Sequence, residues 1–264
     1  MQEETHSPLA LVTGAASGIG RAIVDRLVRD GVVVLAGDID TAGLATLAQQ
    51  HGDRVVTMRC DVTDEASIAA LTDRSLELGG LDMAVANAGK GGYGPLVELS
   101  LDSWREVIDL CLTGVFLTVK HAGRCMRDGG SIVNIASLNA VQPAEGMGAY
   151  CAAKAGVAML TQVAAMELGH RRIRVNTVAP GLVQTAATGT FWVLPGVVDE
   201  FVENTTVGRF AQPSDIADLV SFLLGPESTF ISAGFYSVDG GATTKRYPDL
   251  PAAFQRFAEG TAGA

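Results

Sequence analysis

Short apolar runs alternate with amphipathic helical patterns along almost the whole chain, and this alternation restricts the fold more than any other feature of the sequence. The runs are rich in Val, Ile and Leu without regular polar alternation, which is typical of strands covered on both faces of a parallel sheet. They span residues 9–13, 32–37, 55–60, 81–86, 131–136, 174–179 and 235–238. The helical patterns between them span residues 19–29, 42–50, 65–78, 102–126, 152–168 and 214–224. Repeated strand–helix units predict an α/β fold, with a doubly wound parallel sheet of about seven strands and helices on both faces.

The chain of 264 residues is predicted to form one domain, because no Pro- or Ser-rich linker and no internal repeat divides residues 1–264. The segment from about 182 to 207 breaks the regular rhythm with a long, irregular and apolar stretch. Loops of that length inside a compact domain are usually functional, so we expect a substrate lid there. Residues from about 243 to 264 form a tail, and the sequence leaves open whether it is a surface arm, a subunit contact or disordered.

Charge and cysteine usage exclude several classes of function. The formal net charge of −10 is not offset by a basic run, so we expect no nucleic-acid partner. The cysteines show neither metal-ligand spacing nor a disulfide framework and the histidines form no close pair, so we expect free thiols and no metal. Neither a signal peptide nor an apolar run long enough to span a bilayer is evident. These features predict a cytoplasmic protein without a membrane partner.

A glycine cluster follows the first apolar run, where Gly14, Ser17, Gly18, Ile19 and Gly20 lie in the predicted strand-to-helix turn. Missing side chains let backbone amides approach a pyrophosphate, and the following helix adds its positive N-terminal end. Glycine-rich turns also form for packing reasons alone. The strand before this cluster and the helix after it favour a nucleotide site.

Asp38 ends the second predicted strand, where a ribose-binding carboxylate belongs in such a site. A carboxylate there accepts hydrogen bonds from the ribose hydroxyls of NAD and repels the 2′-phosphate of NADP. The sequence therefore predicts NAD as the cofactor. The alternative is that Asp38 only caps the helix that begins near Asp40.

The third and fourth predicted strands end in further candidates for the nucleotide site. Asp61 and Val62 follow the third strand, where the carboxylate could accept a hydrogen bond from the adenine amino group. Asn87, Ala88 and Gly89 follow the fourth strand, and the small residues leave room for the adenosine ribose. Ligands of doubly wound folds collect at these strand ends. Asp61 could instead be a turn former, and a structural role for Asn87 is as well supported as direct contact.

Ser137 closes the fifth predicted strand, and Tyr150 and Lys154 follow it in sequence. A spacing of four residues places two side chains on one helix face, so an ammonium lies near a phenol. The cation favours the phenolate and is expected to lower a pKa whose reference value is about 10. Ser137 could present a substrate oxygen to Tyr150 for proton transfer, and Lys154 could also hold a nicotinamide ribose. The alternative is an exposed tyrosine packed along a lysine stem.

The chain resembles the short-chain dehydrogenase/reductase family from about residue 9 to residue 242. The shared motifs are TGAASGIG at 13–20, Asp38, Asp61, NAG at 87–89, Ser137, YCAAK at 150–154, RVNTVAPG at 174–181 and VDGG at 238–241. The resemblance implies a Rossmann-type fold with seven parallel strands and the catalytic roles given above for Ser137, Tyr150 and Lys154. It also implies that Pro180, Gly181, Val183 and Thr185 border the nicotinamide, and that the protein is a homotetramer assembled through its long helices.

The sequence departs from the family pattern at two positions. Ala86 stands where the family usually has a first asparagine before Asn87. Cys111 stands where an asparagine usually completes a catalytic tetrad. In the family the backbone carbonyl of that residue holds a water linked to the lysine, and cysteine still offers this carbonyl. Cys111 is therefore kept as a weak catalytic candidate.

The expected reaction is hydride transfer between NAD(H) and a secondary alcohol or its ketone. The candidate substrate contacts are Leu138, Asn139, Met147, Phe191 and Trp192, and their apolar character favours a hydrophobic substrate. Lys90 and Tyr93 lie near the expected cleft. One alternative is a β-ketoacyl-thioester reductase, although such enzymes commonly favour NADP. The other is a non-catalytic NAD-binding regulatory protein.

Overall fold

The computed structural model of the protein describes residues 7–262, and for residues 260–262 it describes the backbone alone. The first six residues and the last two belong to the predicted domain, and the last two also to the predicted tail; they lie outside the described residues. All predicted strands and helical patterns fall inside the described part of the chain.

One parallel sheet organises the described part of the chain, and its seven strands follow the predicted runs. The strands are β1 Leu9–Thr13, β2 Val33–Asp38, β3 Val55–Arg59, β4 Leu81–Ala86, β5 Met126–Ile135, β6 Arg174–Pro180 and β7 Phe235–Val238. Their order across the sheet is β3-β2-β1-β4-β5-β6-β7, so the direction of building switches between β1 and β4. The predicted fold class is confirmed. The largest shift is in β5, which begins at Met126 because this residue pairs with Leu81 ahead of an irregular register.

Helices cover both faces of the sheet, as expected for strands whose side chains are buried on both sides. The helices are α1 Gly18–Arg29, α2 Thr41–His51, α3 Glu65–Glu77, α4 Leu101–Ile108, α5 Gly114–Cys125, α6 Gly148–Leu168, α7 Gly189–Val193, α8 Val197–Glu203, α9 Pro213–Leu224 and α10 Leu250–Ala262. One apolar core joins α1, α2 and α9 to the sheet, and a second joins α3, α5 and α6 to the opposite face. Because helices cover both faces of the sheet, a ligand site is expected at the ends of the strands.

The long helix predicted over residues 102–126 is wrong in one respect, because a π-helical turn at Asp109–Thr113 divides it into α4 and α5. A π turn admits an extra residue and is frequent at functional sites. Cys111 lies inside this turn with its side chain fully buried. The hydrophobic periodicity of the sequence continues across the turn, which explains why it does not reveal the break.

The segment that was predicted to be irregular and the tail, whose role the sequence left open, both contain helices and pack together. Residues 182–207 form α7 and α8, and the predicted tail forms α10. Val197 and Phe201 of α8 share one buried cluster with Leu250 and Ala253 of α10. The described part of the tail is therefore neither a free arm nor disordered.

A buried threonine holds α6 against the centre of the sheet. The Thr161 hydroxyl accepts hydrogen bonds from Asn134 Nδ2 of β5 at 2.9 Å and from Thr177 Oγ1 of β6 at 2.7 Å. It donates to the Val157 carbonyl one turn earlier at 2.9 Å. Because α6 also carries Tyr150 and Lys154, this contact sets the position of the candidate catalytic groups.

Replacing Thr161 with valine should destabilise the protein by about 2–4 kcal/mol, because two buried donors lose their acceptor while the side-chain shape is kept. Urea unfolding followed by circular dichroism measures the change. The exposed Thr46 makes the same bond to the carbonyl four residues earlier, Ala42, at 3.0 Å and is the matched control. Thr46→Val should change the free energy of unfolding by less than about 0.5 kcal/mol. Equal effects of the two variants would contradict the structural role of Thr161.

Candidate active site

A cleft of about 540 Å³ opens at the carboxyl ends of the strands, over the switch point between β1 and β4. Its floor is formed by residues that directly follow β1, β2, β3, β4, β5 and β6. Residues of the 182–207 segment and of the tail form its outer wall. Doubly wound folds bind their ligands at this place, so the cleft is the candidate site.

The turn after β1 requires glycine for two different reasons. Gly14 and Gly18 have φ angles of +64° and +54°, in the left-handed region that favours glycine. A Cβ atom on Gly20 would lie 1.9 Å from the Gly14 carbonyl oxygen, so this glycine serves close packing of α1 on the turn. Gly14, Ser17, Gly18 and Ile19 line the cleft, whereas Gly20 does not. The N-terminus of α1 therefore faces the cleft with a flat, amide-rich surface.

Asp38 lies at the end of β2 and is fixed by two backbone amides. Its Oδ2 accepts from Ala16 N and its Oδ1 accepts from Asp40 N, both at 2.9 Å. The cap of α2 is Asp40, whose carboxylate accepts from Ala42 N and Gly43 N. The alternative in which Asp38 caps this helix is therefore wrong. Asp38 lines the cleft and has acceptor capacity left for a ligand.

Asp61 both lines the cleft and forms a turn. Its Oδ1 accepts from Thr63 N at 3.0 Å and from Thr63 Oγ1 at 2.7 Å. These hydrogen bonds lower the pKa of Asp61, so the carboxylate is charged at neutral pH. Asp61 therefore forms a turn, as the alternative interpretation held, and it also faces the cleft. Val62 lines the cleft next to it.

Asn87 connects the two strands at the switch point. Its Nδ2 donates to the carbonyl oxygens of Thr13 and Gly14, each at 3.0 Å. The structural role that the sequence left open is therefore present, and Asn87 also lines the cleft with Ala88 and Gly89. Gly89 lies close to Lys154, because a Cβ atom built on this glycine would lie 3.5 Å from Lys154 Nζ.

Ser137, Tyr150 and Lys154 meet at the base of the cleft. Ser137 follows β5, whereas Tyr150 and Lys154 lie in the first two turns of α6, which begins four residues earlier than predicted. Lys154 Nζ donates to the Ile135 carbonyl at 2.9 Å and lies 5.6 Å from the centroid of the Tyr150 ring. Ser137 Oγ donates to Asn139 Oδ1 at 3.3 Å and accepts from Asn139 N at 3.2 Å.

Burial dominates the electrostatics of this group and reverses one expectation. Desolvation raises the pKa of Tyr150 above its usual value, while hydrogen bonding with Ser137 acts in the opposite direction. Desolvation also lowers the pKa of Lys154. The sequence predicted a lowered pKa for Tyr150 from the ammonium alone. In the folded chain the cost of burying a phenolate outweighs that attraction.

Cys111 lies beneath the cleft and does not line it. Its Sγ donates to the Lys90 carbonyl at 3.2 Å, which ties the π-helical turn to the loop after β4. The thiol thus occupies the place of the usual asparagine side chain and contacts the loop backbone.

Most of the residues predicted for the site line the cleft. They are Gly14, Ser17, Gly18, Ile19, Asp38, Asp61, Val62, Asn87, Ala88, Gly89, Ser137, Leu138, Asn139, Met147, Tyr150, Lys154, Pro180, Gly181, Val183, Thr185 and Phe191. Trp192, also predicted as a substrate contact, does not line the cleft in this structure. Its Nε1 donates to Thr188 Oγ1 at 3.2 Å, and its ring packs edge-on against Phe210. Successive residues of a helix point about 100° apart, so Phe191 faces the cleft and Trp192 does not.

The outer wall contains residues that sequence reasoning missed. Phe201, Tyr247, Leu250 and Phe254 line the cleft together with Tyr93, which stacks on Phe254 at a centroid distance of 4.1 Å. Leu250, Ala253 and Phe254 follow helical spacing in the tail, and that periodicity was the available signal for α10. Lys90 also reaches the cleft, where it forms an ion pair with Glu106.

Metal binding and membrane spanning can be considered for the part of the chain that the structure describes. Within residues 7–262, no group of three or more His, Cys, Asp or Glu side chains is arranged to hold a metal ion. In the same part of the chain, no helix is both long and apolar enough to cross a membrane.

The fold and the site together define a class. A glycine turn at a helix N-terminus, a carboxylate at the end of β2 and a Ser–Tyr–Lys group beside them are the parts of a nicotinamide-dependent oxidoreductase. A family model described as enoyl-(acyl carrier protein) reductase matches residues 14–243.

Three similar proteins agree with this class. The chain is 41% identical over 250 residues to a cis-4-hydroxycyclohexanecarboxylate dehydrogenase of Sinomonas cyclohexanicum, covering 92% of this chain and 99% of that protein. A short-chain type dehydrogenase/reductase from Mycobacterium ulcerans superposes with a TM-score of 0.90 at 31% identity, covering 94% of each chain. A single-residue variant of actinorhodin polyketide ketoreductase with NADPH superposes with a TM-score of 0.83 at 34% identity, covering 90% of this chain and 97% of that one.

The chain belongs to the short-chain dehydrogenase/reductase family. It is an oxidoreductase of a family that binds a nicotinamide cofactor.

Proposed function

We propose that the protein is an NAD-dependent dehydrogenase of hydrophobic secondary alcohols, and a reductase of the matching ketones, with Tyr150 as the acid/base. The observation that carries the proposal is the meeting of Ser137, Tyr150 and Lys154 between an amide-rich turn and an apolar wall. One side of this group fits a dinucleotide, and the other fits an apolar substrate.

The residues of the cleft fit a nicotinamide cofactor. Gly14, Ser17, Gly18 and Ile19 would hold the pyrophosphate, because they line the cleft at the N-terminus of α1, where backbone amides and the positive helix end attract an anion. Further contacts are assigned to Asp38 at the adenosine ribose, to Asp61 and Val62 at the adenine, and to Asn87, Ala88 and Gly89 beneath it. Lys154 and the residues Pro180, Gly181, Val183 and Thr185 would hold the nicotinamide half.

When bound, the cofactor supplies the acceptor or donor of the hydride at the carbinol carbon. The remaining work belongs to the chain. The Ser137 hydroxyl binds the substrate oxygen, and the Tyr150 hydroxyl gives that oxygen a proton during reduction or takes it during oxidation. Because burial raises its pKa, Tyr150 is protonated at neutral pH, where it serves ketone reduction. Oxidation needs the phenolate and is favoured at higher pH.

The outer wall supports a hydrophobic, compact substrate. Phe191, Phe201, Leu250 and Phe254 present apolar side chains to the cleft. We assign residues 182–207 the role of substrate lid, because Phe191 and Phe201 both belong to them. The similar protein from Sinomonas acts, by its name, on a hydroxylated cyclohexane ring, which agrees with a cyclic alcohol.

A β-ketoacyl-thioester reductase is the second candidate, favoured by the description of the matching family model and by the similarity to a polyketide ketoreductase. The NADPH named with that ketoreductase distinguishes the two candidates, because a carboxylate at position 38 disfavours the 2′-phosphate. The third candidate is a regulatory protein without catalysis, and measured turnover of an alcohol or ketone would exclude it.

NAD should be preferred over NADP by about 100-fold or more in kcat/KM, because placing Asp38 against a 2′-phosphate costs several kcal/mol. Steady-state rates with both cofactors, at a fixed alcohol concentration, measure the ratio. In Asp38→Ser the preference should shrink to less than about tenfold. Asp53→Ser, an exposed acid outside the cleft, is the control and should keep the parent ratio. Equal use of both cofactors by the parent would contradict the assignment of Asp38.

Tyr150→Phe should lose about 10²- to 10⁴-fold in kcat for ketone reduction, because the ring packing stays while the proton donor is removed. NADH binding, followed by its fluorescence, should remain within about twofold, since the phenol oxygen is not the main anchor of the cofactor. Tyr236→Phe on β7 is the control, because this tyrosine packs in the core beside the sheet and does not line the cleft. Near-parent turnover of Tyr150→Phe would exclude the acid/base role.

Apolar side chains remain exposed along α5 and α6, and we propose that they form subunit contacts in a homotetramer. Phe116 on α5 is 45% exposed, and Met159, Val163 and Met166 on α6 are 60%, 42% and 82% exposed. The three residues of α6 follow helical spacing and form one stripe. Patches of this kind mark interfaces.

The cytoplasmic location predicted from the sequence stays a prediction.

Light scattering coupled to size exclusion should give the mass of four chains for the parent. Changing Met159 and Met166 to aspartate should lower that mass, because a charge at each contact must be desolvated on assembly. Val97→Asp, at a position that is 95% exposed outside both helices, should leave the mass unchanged. A monomeric or dimeric parent would contradict the tetramer.

A further inference from the structure

The tail places a second phenol, Tyr247, in the outer wall of the cleft. Its ring meets Phe201 of α8 edge-on at a centroid distance of 5.3 Å. The backbone next to it is fixed from inside the domain, because Gln142 Nε2 donates to the Lys245 carbonyl at 2.6 Å. The position of Tyr247 is therefore set by the ring contact with Phe201 and by the backbone anchor two residues earlier.

The 182–207 segment and the tail are joined through one carboxylate. Glu200 of α8 forms an ion pair with Arg246 at 2.7 Å and accepts from Asp249 N at 3.3 Å. These two partners flank Tyr247 in sequence. The phenol is thus carried by a segment that is attached to the lid, and the wall it belongs to is a single packed unit with α8.

The Tyr247 hydroxyl makes only long contacts. It lies 3.5 Å from Asn139 Oδ1 and 3.7 Å from Met147 Sδ. Burial raises its pKa, so it is neutral at physiological pH and acts as a donor. Hydrogen bonds from a hydroxyl to oxygen are normally about 2.7–2.8 Å long, so most of this donor's capacity is unused. A partly buried donor of this kind gains a good bond if a ligand oxygen comes near it.

The hydroxyl points to the substrate half of the cleft. Asn139 Oδ1, which it approaches, also accepts from Ser137 Oγ, so the two hydroxyls share one amide oxygen. Tyr247 and Tyr150 both line the cleft and pack against the same apolar cluster. Phe191, Phe201 and Leu250, which line the same wall, are apolar.

We propose that Tyr247 is a specificity-determining residue that donates a hydrogen bond to a second oxygen atom of the substrate. The inference rests on the proposed function and refines it. The substrate class is a compact, hydrophobic secondary alcohol that carries another oxygen function away from the reacting carbon. The reacting oxygen binds at Ser137 and Tyr150, and the second oxygen binds at Tyr247 on the opposite wall.

The test compares cyclohexanol with the 1,2-, 1,3- and 1,4-cyclohexanediols as substrates, with NAD as the cofactor. At least one diol should exceed cyclohexanol by about five- to tenfold in kcat/KM, which is the value of one neutral hydrogen bond. In Tyr247→Phe this advantage should fall to less than about twofold, while kcat/KM for cyclohexanol stays at the parent level. Tyr236→Phe is the matched control and should keep the parent preference.

The outcomes that overturn the proposal are distinct from one another. Equal loss with cyclohexanol and the diols in Tyr247→Phe would assign Tyr247 to holding Asn139 and Ser137 in place. A diol advantage that survives in Tyr247→Phe, or that is absent in the parent, would also refute the proposal.

A binding measurement separates this inference from the proposed function. Calorimetric titration of the parent and of Tyr247→Phe with cyclohexanone and with 1,4-cyclohexanedione needs no turnover. Tighter binding of the diketone to the parent alone supports the role of Tyr247. A lack of turnover with every alcohol counts against the proposed function, and the ratio of the two binding constants still decides the role of Tyr247.

Discussion

The contact between α6 and the centre of the sheet is the interaction on which the candidate chemistry depends. Thr161 accepts hydrogen bonds from β5 and β6 at once, so α6 cannot slide or rotate without breaking two buried bonds. Tyr150 and Lys154 lie on the same helix, and Ser137 lies two residues after the end of the strand that carries Asn134. Proton transfer requires that these groups lie at a suitable distance and angle from one another. A single buried hydroxyl therefore fixes the geometry of the proposed reaction at a point about three helical turns from Tyr150.

Burial sets the protonation states of the site more strongly than its pairwise charges do. The ammonium of Lys154 lies over the Tyr150 ring, an arrangement that by itself favours the phenolate. Both groups are removed from water, which raises the pKa of Tyr150 and lowers the pKa of Lys154. Burial thus favours the neutral form of each group. The consequence is chemical. A buried neutral phenol carries the proton that ketone reduction needs, and a buried lysine with a carbonyl partner at Ile135 is held in one orientation. The arrangement suits a site where charge develops only during the reaction.

Sequence reasoning was sufficient for the sheet and for the floor of the cleft, because both follow from local patterns. Apolar runs define strands, and the residues directly after Thr13, Asp38, Arg59 and Ala86 must gather at one edge of a parallel sheet. It was not sufficient where tertiary contacts override periodicity. The π-helical turn around Cys111 interrupts a helix whose pattern continues unbroken, and the neighbouring residues Phe191 and Trp192 differ only in the helix face they occupy. The pKa of Tyr150 depends on burial, which residue spacing does not report.

The outer wall shows why the substrate is the last property that a sequence reveals. The floor of the cleft comes from strand ends, whereas the wall is assembled from the loop at Tyr93, from α8 and from the tail at Tyr247, which lie far apart along the chain. None of these segments carries a sequence motif. The role of each segment follows from its contacts in the folded chain, such as Tyr93 on Phe254 or Phe201 on Tyr247. The contacts of Glu200 with the tail add an anchor for the wall that uses none of the catalytic side chains. Under the proposed function, selectivity depends on how α8 and the tail pack against each other, because these two segments supply Phe201 and Tyr247 to the cleft.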